Sequence, residues 1–306
     1  MSTSASDQSS AGAATVGASP AADRSAAAVT TPAAAGPQIS QVKKVRVHHL
    51  LGAKQRGEKL TMLTAYDAVT ARILDAAGTD MLLVGDSLGN VMLGYDSTMP
   101  VTLDEMVVAT RSVSRDTNRA LVVADLPFGT YEAGPEQALA SAVRLMRVGA
   151  NAVKLEGGRP RAATVRALSD AGIPVVGHLG FTPQSVNKLG GFRVQGRGDD
   201  AQDALLADAA ALADAGAIAI VLEMVPEPVA ARITQAVPVP TIGIGAGVHC
   251  DGQVLVWTDM AGMEEWKPRF ARQFGQVGRA LQQAAQDYNA AVRDASFPGP
   301  AESFEA

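Results

Sequence analysis

The chain has 306 residues, 47% hydrophobic and 19% charged, enough apolar material for one large core even with a polar terminus set aside. Collagen, a coiled coil and a wholly disordered chain are excluded, and 26 basic against 31 acidic side chains leave a formal charge of −5, with no general attraction for nucleic acid or anionic lipid. A single cysteine, Cys250, and four scattered histidines exclude an internal disulfide and a zinc-type cluster and fit a reducing cytoplasm, and no apolar run approaches the ~20 residues that span a bilayer.

Residues 1–40 are mostly Ala, Ser, Thr, Gly and Pro, with no aromatic side chain and only Asp7, Asp23 and Arg24 charged. Such a segment cannot bury enough surface to offset its ordering entropy, so a disordered tail is expected there, without the features of a secretory signal or a transit peptide. From Val42 the composition changes, and one folded domain is expected over 41–306, entered through Lys43, Lys44, Arg46, His48 and His49. Short β-branched runs then alternate with longer stretches of helical periodicity. Strands are expected at Leu60–Thr64, Met81–Val84, Ala120–Ala124, Asn151–Leu155, Ile173–Gly177, Ala217–Leu222, Val239–Gly243 and Gln253–Trp257. Helices are expected between most of them, as at Leu103–Arg115, Pro135–Val148, Arg161–Ala171 and Asp200–Ala215. Continuous apolar strands argue for a parallel sheet covered by helices, and these βα units in about 250 residues predict a (β/α)8 TIM barrel. The first βα turn lacks the G-x-G-x-x-G of the alternative, an open dinucleotide-binding sheet. Gly243 and Gln253 stand too close for a full helix between them, so the seventh unit departs from the repeat.

Reactive groups in such barrels gather at the C-terminal strand ends. There the second strand leads to Asp86-Ser87, the third to Asp125, the fourth runs Lys154-Leu155-Glu156, the fifth reaches His178 and the sixth reaches Glu223. Asp86, Asp125 and Glu156 would share one rim, an all-oxygen set without thiolates that suits Mg2+. Each acid alone fits equally well as a helix cap or as an arginine's partner. Lys154 and Glu156, two apart on a strand, point to one side; a substrate carboxylate beside Lys154 and a plain Lys154–Glu156 ion pair are both compatible with that spacing. Glu223 follows an apolar run, where desolvation suits a general base, the alternative being a solvated rim glutamate. His178 reads either as a hydrogen-bond donor to substrate or as a satisfied structural histidine. The glycine-rich segment 180–198 reads as a functional loop over the barrel mouth, and the Gly243–Gly247 turn as a phosphate cradle or a close approach to another ligand.

Several strings carry a resemblance: VGDSLGNVMLGYDSTMPVT from Val84, ADLPFGTYE from Ala124, VKLEGG from Val153, GHLGFTPQSVN from Gly177, GGFRVQGRGD from Gly190, LEMVP from Leu222 and GIGAG from Gly243. Together they closely resemble the ketopantoate (3-methyl-2-oxobutanoate) hydroxymethyltransferase family, from Val45 to the Phe297-Pro298 region; near the end Glu302-Ser303-Phe304 stands where the family has His-Ser-Phe. The resemblance implies a barrel of the phosphoenolpyruvate/pyruvate type and a cytoplasmic homodecamer. It implies Mg2+ as cofactor, 5,10-methylenetetrahydrofolate as co-substrate and the first step of pantothenate biosynthesis. It also implies Asp86, Asp125 and Glu156 as metal ligands, Asp86, Ser87, Asp125 and Lys154 as keto-acid contacts, and Glu223 as catalytic base. Two competing readings are weaker. Related carbon–carbon lyases use a Lys-Cys-Gly-His setting that Cys250 lacks, and a catalytically dead binding module would not keep all of these side chains intact.

Overall fold

The computed structural model describes residues 36–304. The tail expected over 1–40 lies almost wholly outside them. Within the described part, Ile39 is buried, its N–H donates to Glu58 at 2.9 Å and its carbonyl accepts from Arg119 at 2.7 Å, so packed chain begins ahead of residue 41.

Eight parallel strands pair in chain order and close on themselves. They are β1 (Leu60–Thr64), β2 (Met81–Val84), β3 (Leu121–Asp125), β4 (Ala152–Glu156), β5 (Val175–Gly180), β6 (Ala219–Glu223), β7 (Thr241–Ile244) and β8 (Gly252–Leu255). The seam is the β1–β8 pairing, where Leu60 lies opposite Gly252; a Cβ at Gly252 would sit 2.6 Å from the Leu60 carbonyl oxygen, so only glycine lets the last strand approach the first. β1 and β2 fall at their expected positions. β3, β4 and β6 reach one residue further than apolar content alone indicates and take in Asp125, Glu156 and Glu223 as their last residues. β5 begins after Pro174 and β7 after Pro240, prolines having no N–H to give a ladder, and β5 runs on through His178 to Gly180. β8 stops at Leu255, and Trp257 instead opens a short helix, Trp257–Ala261, its N–H held by Thr64 Oγ1 at 3.0 Å. The link from β7 to β8 contains no helix, as its length requires.

Alternation along each strand divides the core in two. Met81, Leu83, Leu121, Val123, Ala152, Val176, Ala219, Val221 and Ile242 fill the barrel interior, together with Leu50 and Ala53 of the helix Val47–Arg56 that closes its floor. Their neighbours Leu82, Val84, Val122, Val153, Leu155, Val175, Ile220 and Leu222 face outward onto helices, meeting Met106 of Leu103–Arg115, Leu145 of Pro135–Arg147, Leu168 of Ala162–Asp170 and Leu212 of Asp199–Asp214. Helix Leu103–Arg115 starts on a capping box, in which the Thr102 hydroxyl accepts from the Glu105 N–H and Glu105 accepts from the Thr102 N–H at 2.7 Å. The eighth unit is unlike the rest. The helix Val277–Arg293 has no buried residue and presents Val277, Leu281, Tyr288 and Val292 to solvent. Among the described residues, no helix is long and apolar enough to cross a membrane.

Candidate active site

The inward parity that buries Val123, Ala152, Val176 and Val221 continues one step up each strand to Asp125, Lys154, His178 and Glu223, and Lys154 is followed on the same side by Glu156. These side chains, with Asp86 and Ser87 from the turn after β2, line one cavity of about 150 Å3 at the C-terminal mouth. All the residues singled out from the sequence are therefore brought together, and Asp86, Asp125, Lys154, Glu156 and His178 are buried.

Lys154 Nζ lies 2.7 Å from Asp125 Oδ1, so the lysine's partner is the acid on the neighbouring strand and not Glu156 on its own. Burial opposes its charge, but Asp125, Glu156 and Asp86 hold its pKa above the ordinary lysine value. One ammonium does not balance three carboxylates. Burial, reinforced by the charges of Asp125 and Glu156, pushes Asp86 up to about 8, and burial raises Asp125 as well despite Lys154.

His178 stands between two acids, with Nδ1 3.3 Å from Glu156 Oε1 and Nε2 3.2 Å from Glu223 Oε2. Burial and the neighbouring Lys154 disfavour its protonated form, yet the carboxylates at its two ring nitrogens outweigh both and push its pKa up to about 9. Neither approach is aligned as a hydrogen bond, so Glu156 Oε1 and His178 Nε2 remain buried without hydrogen-bond partners. Glu223 is thus no isolated carboxylate at the end of an apolar strand; it faces the His178 ring.

A second set of groups, one of them in the loop 180–198, completes the site. The Gln184 amide donates to Asp86 Oδ2 at 2.8 Å and to the Leu126 carbonyl at 3.0 Å, while its backbone N–H donates to Glu156 Oε2 at 3.0 Å. Tyr131 OH donates to the Gln184 carbonyl oxygen at 2.5 Å, and Tyr66 shares a 2.8 Å hydrogen bond with Ser87. Thr98 Oγ1, buried with no partner, and Asp259 line the same cavity. Gln184 and Tyr131 lay within the quoted strings, but neither strand position nor ionisable chemistry marked them.

The loop over the mouth divides its work. Its first part turns into the site through Pro183 and Gln184; beyond it, exposed Phe192 rests on buried Phe181 with centroids 4.8 Å apart, and Gln195 N–H donates to the Met224 carbonyl beside Glu223. The Gly243–Gly247 turn is no phosphate cradle. A Cβ at Gly247 would lie 2.4 Å from Glu227 Cγ and one at Gly245 3.1 Å from the Phe270 ring, so the chain's own side chains fill the close approach.

Asp86, Asp125 and Glu156 are the side chains that could hold a metal. Among the described residues no three acidic, imidazole or thiol groups already form a ligand shell, because Lys154 and Gln184 occupy part of their oxygens. The oxygen-only donors, the partnerless Glu156 Oε1 and the raised Asp86 are nevertheless what a site short of positive charge presents, and they fit a hard cation.

Residues 44–300 match the sequence model of the family described as Ketopantoate hydroxymethyltransferase. The chain belongs to that family. It is 58% identical over 265 residues to the 3-methyl-2-oxobutanoate hydroxymethyltransferase of Saccharopolyspora erythraea, covering 86% of this chain and 90% of that one. It is 56% identical over 275 residues to the protein of the same name from Thermobifida fusca, covering 90% and 98%. Among solved structures it shares the fold of a phosphoenolpyruvate phosphomutase from Streptomyces platensis subsp. rosaceus, with a TM-score of 0.56, 16% identity and coverage of 82% and 88%. It also shares that of a phosphonopyruvate hydrolase solved with oxalate and Mg2+, with a TM-score of 0.55, 13% identity and coverage of 84% and 93%. For this ketopantoate hydroxymethyltransferase family member, the (β/α)8 barrel expected from sequence is the fold observed.

Removing one side of the buried Lys154–Asp125 pair leaves an uncompensated charge. Lys154→Met should therefore lower stability by about 3–5 kcal/mol in chemical denaturation, and adding Asp125→Asn to it should recover part of that loss.

Proposed function

We propose that this chain transfers a hydroxymethyl group to 3-methyl-2-oxobutanoate from 5,10-methylenetetrahydrofolate and water, giving 2-dehydropantoate and tetrahydrofolate as the first step of pantothenate biosynthesis. One observation carries the reading: the acids, lysine and histidine enclose a single cavity of about 150 Å3, in a chain more than half identical to enzymes of that name. A space of that size suits a small branched keto acid and not a folate, so the second substrate must approach from the mouth.

In this mechanism Asp86, Asp125 and Glu156 would hold Mg2+, which when bound supplies Lewis acidity to stabilise the enolate. Lys154 binds the substrate carboxylate, and Asp86, Ser87 and Asp125 complete the contacts to the keto acid. Glu223 removes the proton at C3, while His178 holds that carboxylate in place from its other side. The carbon so activated bonds to the one-carbon unit of the folate, the carbon–nitrogen bonds to the folate break, and water supplies the hydroxyl group. Gln184 and Tyr131 act as positioning residues, since they fix Asp86 and Glu156 at hydrogen-bonding distance.

We further propose a cytoplasmic homo-oligomer, ten copies by resemblance to the family. The apolar stripe of Val277, Leu281, Tyr288 and Val292, exposed on a helix with no buried residue, supports assembly of this chain with itself. Buried Cys250, a lone thiol, accords with a reducing compartment.

The direct test is product formation from keto acid, methylenetetrahydrofolate and Mg2+. Activity should vanish with EDTA and return with Mg2+, and Asp125→Asn should raise the half-saturating Mg2+ and the KM for keto acid together, each roughly 10-fold or more. Full activity in metal-free buffer would end the metal assignment. In sedimentation at micromolar concentration the chain should run as an oligomer, and Leu281→Asp should shift it to smaller species; an unchanged distribution would remove the stripe from the interface.

A further inference from the structure

The lining of the cavity changes character around the ring. From β2 to β6 it is ionisable, with Asp86, Asp125, Lys154, Glu156, His178 and Glu223. From β7 round to β1 it consists largely of Ile244, Val254, Val256, Pro268 and Phe270, and this arc holds one ionisable group, Asp259. Asp259 lies in the first turn of the helix Trp257–Ala261, directly after β8 and across the mouth from β3 and β4. Phe270 packs against the Gly245 backbone, close enough that a Cβ there would meet its ring at 3.1 Å, and it stays 36% exposed.

The surroundings of Asp259 leave its oxygens available. Burial and the charge of Glu264 raise its pKa, Lys267 opposes them, and no hydrogen bond contributes to the balance. A half-buried carboxylate and an aromatic ring on one apolar arc of a cavity make a recognition set for a flat heterocycle carrying adjacent N–H donors. The carboxylate accepts two parallel hydrogen bonds from such an edge, and the ring packs on the heterocycle's face. A pterin is such a heterocycle, with N3–H and the 2-amino group forming one donor edge.

We propose that Asp259 recognises the pterin edge of the folate co-substrate, with Phe270 as the wall against which the pterin lies. This rests on the reading of the site as a folate-dependent transferase. The folate then comes in from the mouth along the apolar arc, while the acids, Lys154 and Glu223 hold the keto acid on the opposite arc. Asp259 then sets specificity for the one-carbon carrier and takes no part in enolisation.

The test separates the two half-reactions in the full-length enzyme. Asp259→Asn keeps the size of the side chain but places an amide donor against donors. It should raise the KM for methylenetetrahydrofolate roughly 10- to 100-fold, the range for losing a charge-assisted hydrogen bond. Folate-free exchange of the keto acid's C3 hydrogen with D2O, the KM for keto acid and the melting temperature should stay at wild-type values. A 2-desamino tetrahydrofolate should inhibit wild type as weakly as tetrahydrofolate inhibits the variant, and should inhibit both enzymes alike. A wild-type KM for the folate in Asp259→Asn, or a parallel fall in the exchange rate, would overturn the assignment of Asp259 alone. Wild-type enzyme that exchanges the C3 hydrogen but makes no product from methylenetetrahydrofolate would overturn the folate reading and this inference with it.

Discussion

The mouth of this barrel is organised by a shortage of positive charge. Lys154, on the interior face of β4, pairs with Asp125 at 2.7 Å, yet Asp86 and Glu156 share the same enclosed space. A buried carboxylate without a counter-charge is costly, and the protein meets that cost in two ways. It gives the acids donors from Gln184, which Tyr131 holds in place, and sets the imidazole of His178 beside Glu156. It also lets Asp86 keep a proton to unusually high pH. Three carboxylates against the single Lys154 ammonium suit the divalent cation proposed for this site.

Much of this was legible in the sequence because a barrel strand obeys a simple period. Once apolar runs such as Met81–Val84 are placed, the side of each following residue is known, and acids at strand ends fall on the interior. Asp125, Lys154, Glu156 and Glu223 follow from that rule together with the matching strings. The rule says nothing about which inward groups pair with one another. Spacing along β4 leaves a Lys154–Glu156 pair and a substrate contact for Lys154 equally open, whereas the pairing of adjacent strands sets Lys154 beside Asp125. Gln184 and Thr98 come from loops, whose paths no periodicity encodes, and Asp259 comes from a helix where a strand was expected to end. Polar residues at strand tops also shortened the expected strands, since His178 and Glu223 still take part in the ladder.

The helix Val277–Arg293 shows the same limit at larger scale. Its apolar residues recur at helical spacing, as those of a core-facing helix do, yet among the described residues none of them is buried. Residue pattern signals that a face needs a partner and leaves open whether that partner lies in the same chain. Helices Leu103–Arg115, Pro135–Arg147, Ala162–Asp170 and Asp199–Asp214 find theirs on the outward faces of the strands.

In the proposed division of labour around the ring, Lys154 and the acids hold the keto acid and Glu223, with His178 3.2 Å away, removes its C3 proton. Exchange of the C3 hydrogen of 3-methyl-2-oxobutanoate with D2O, followed by NMR with Mg2+ and without folate, isolates that step. Wild type should exchange it, and Glu223→Gln should bind the keto acid with unchanged affinity while exchanging about 10²- to 10⁴-fold more slowly, the effect of losing a positioned general base. Exchange by Glu223→Gln at the wild-type rate would assign proton abstraction to a group other than Glu223.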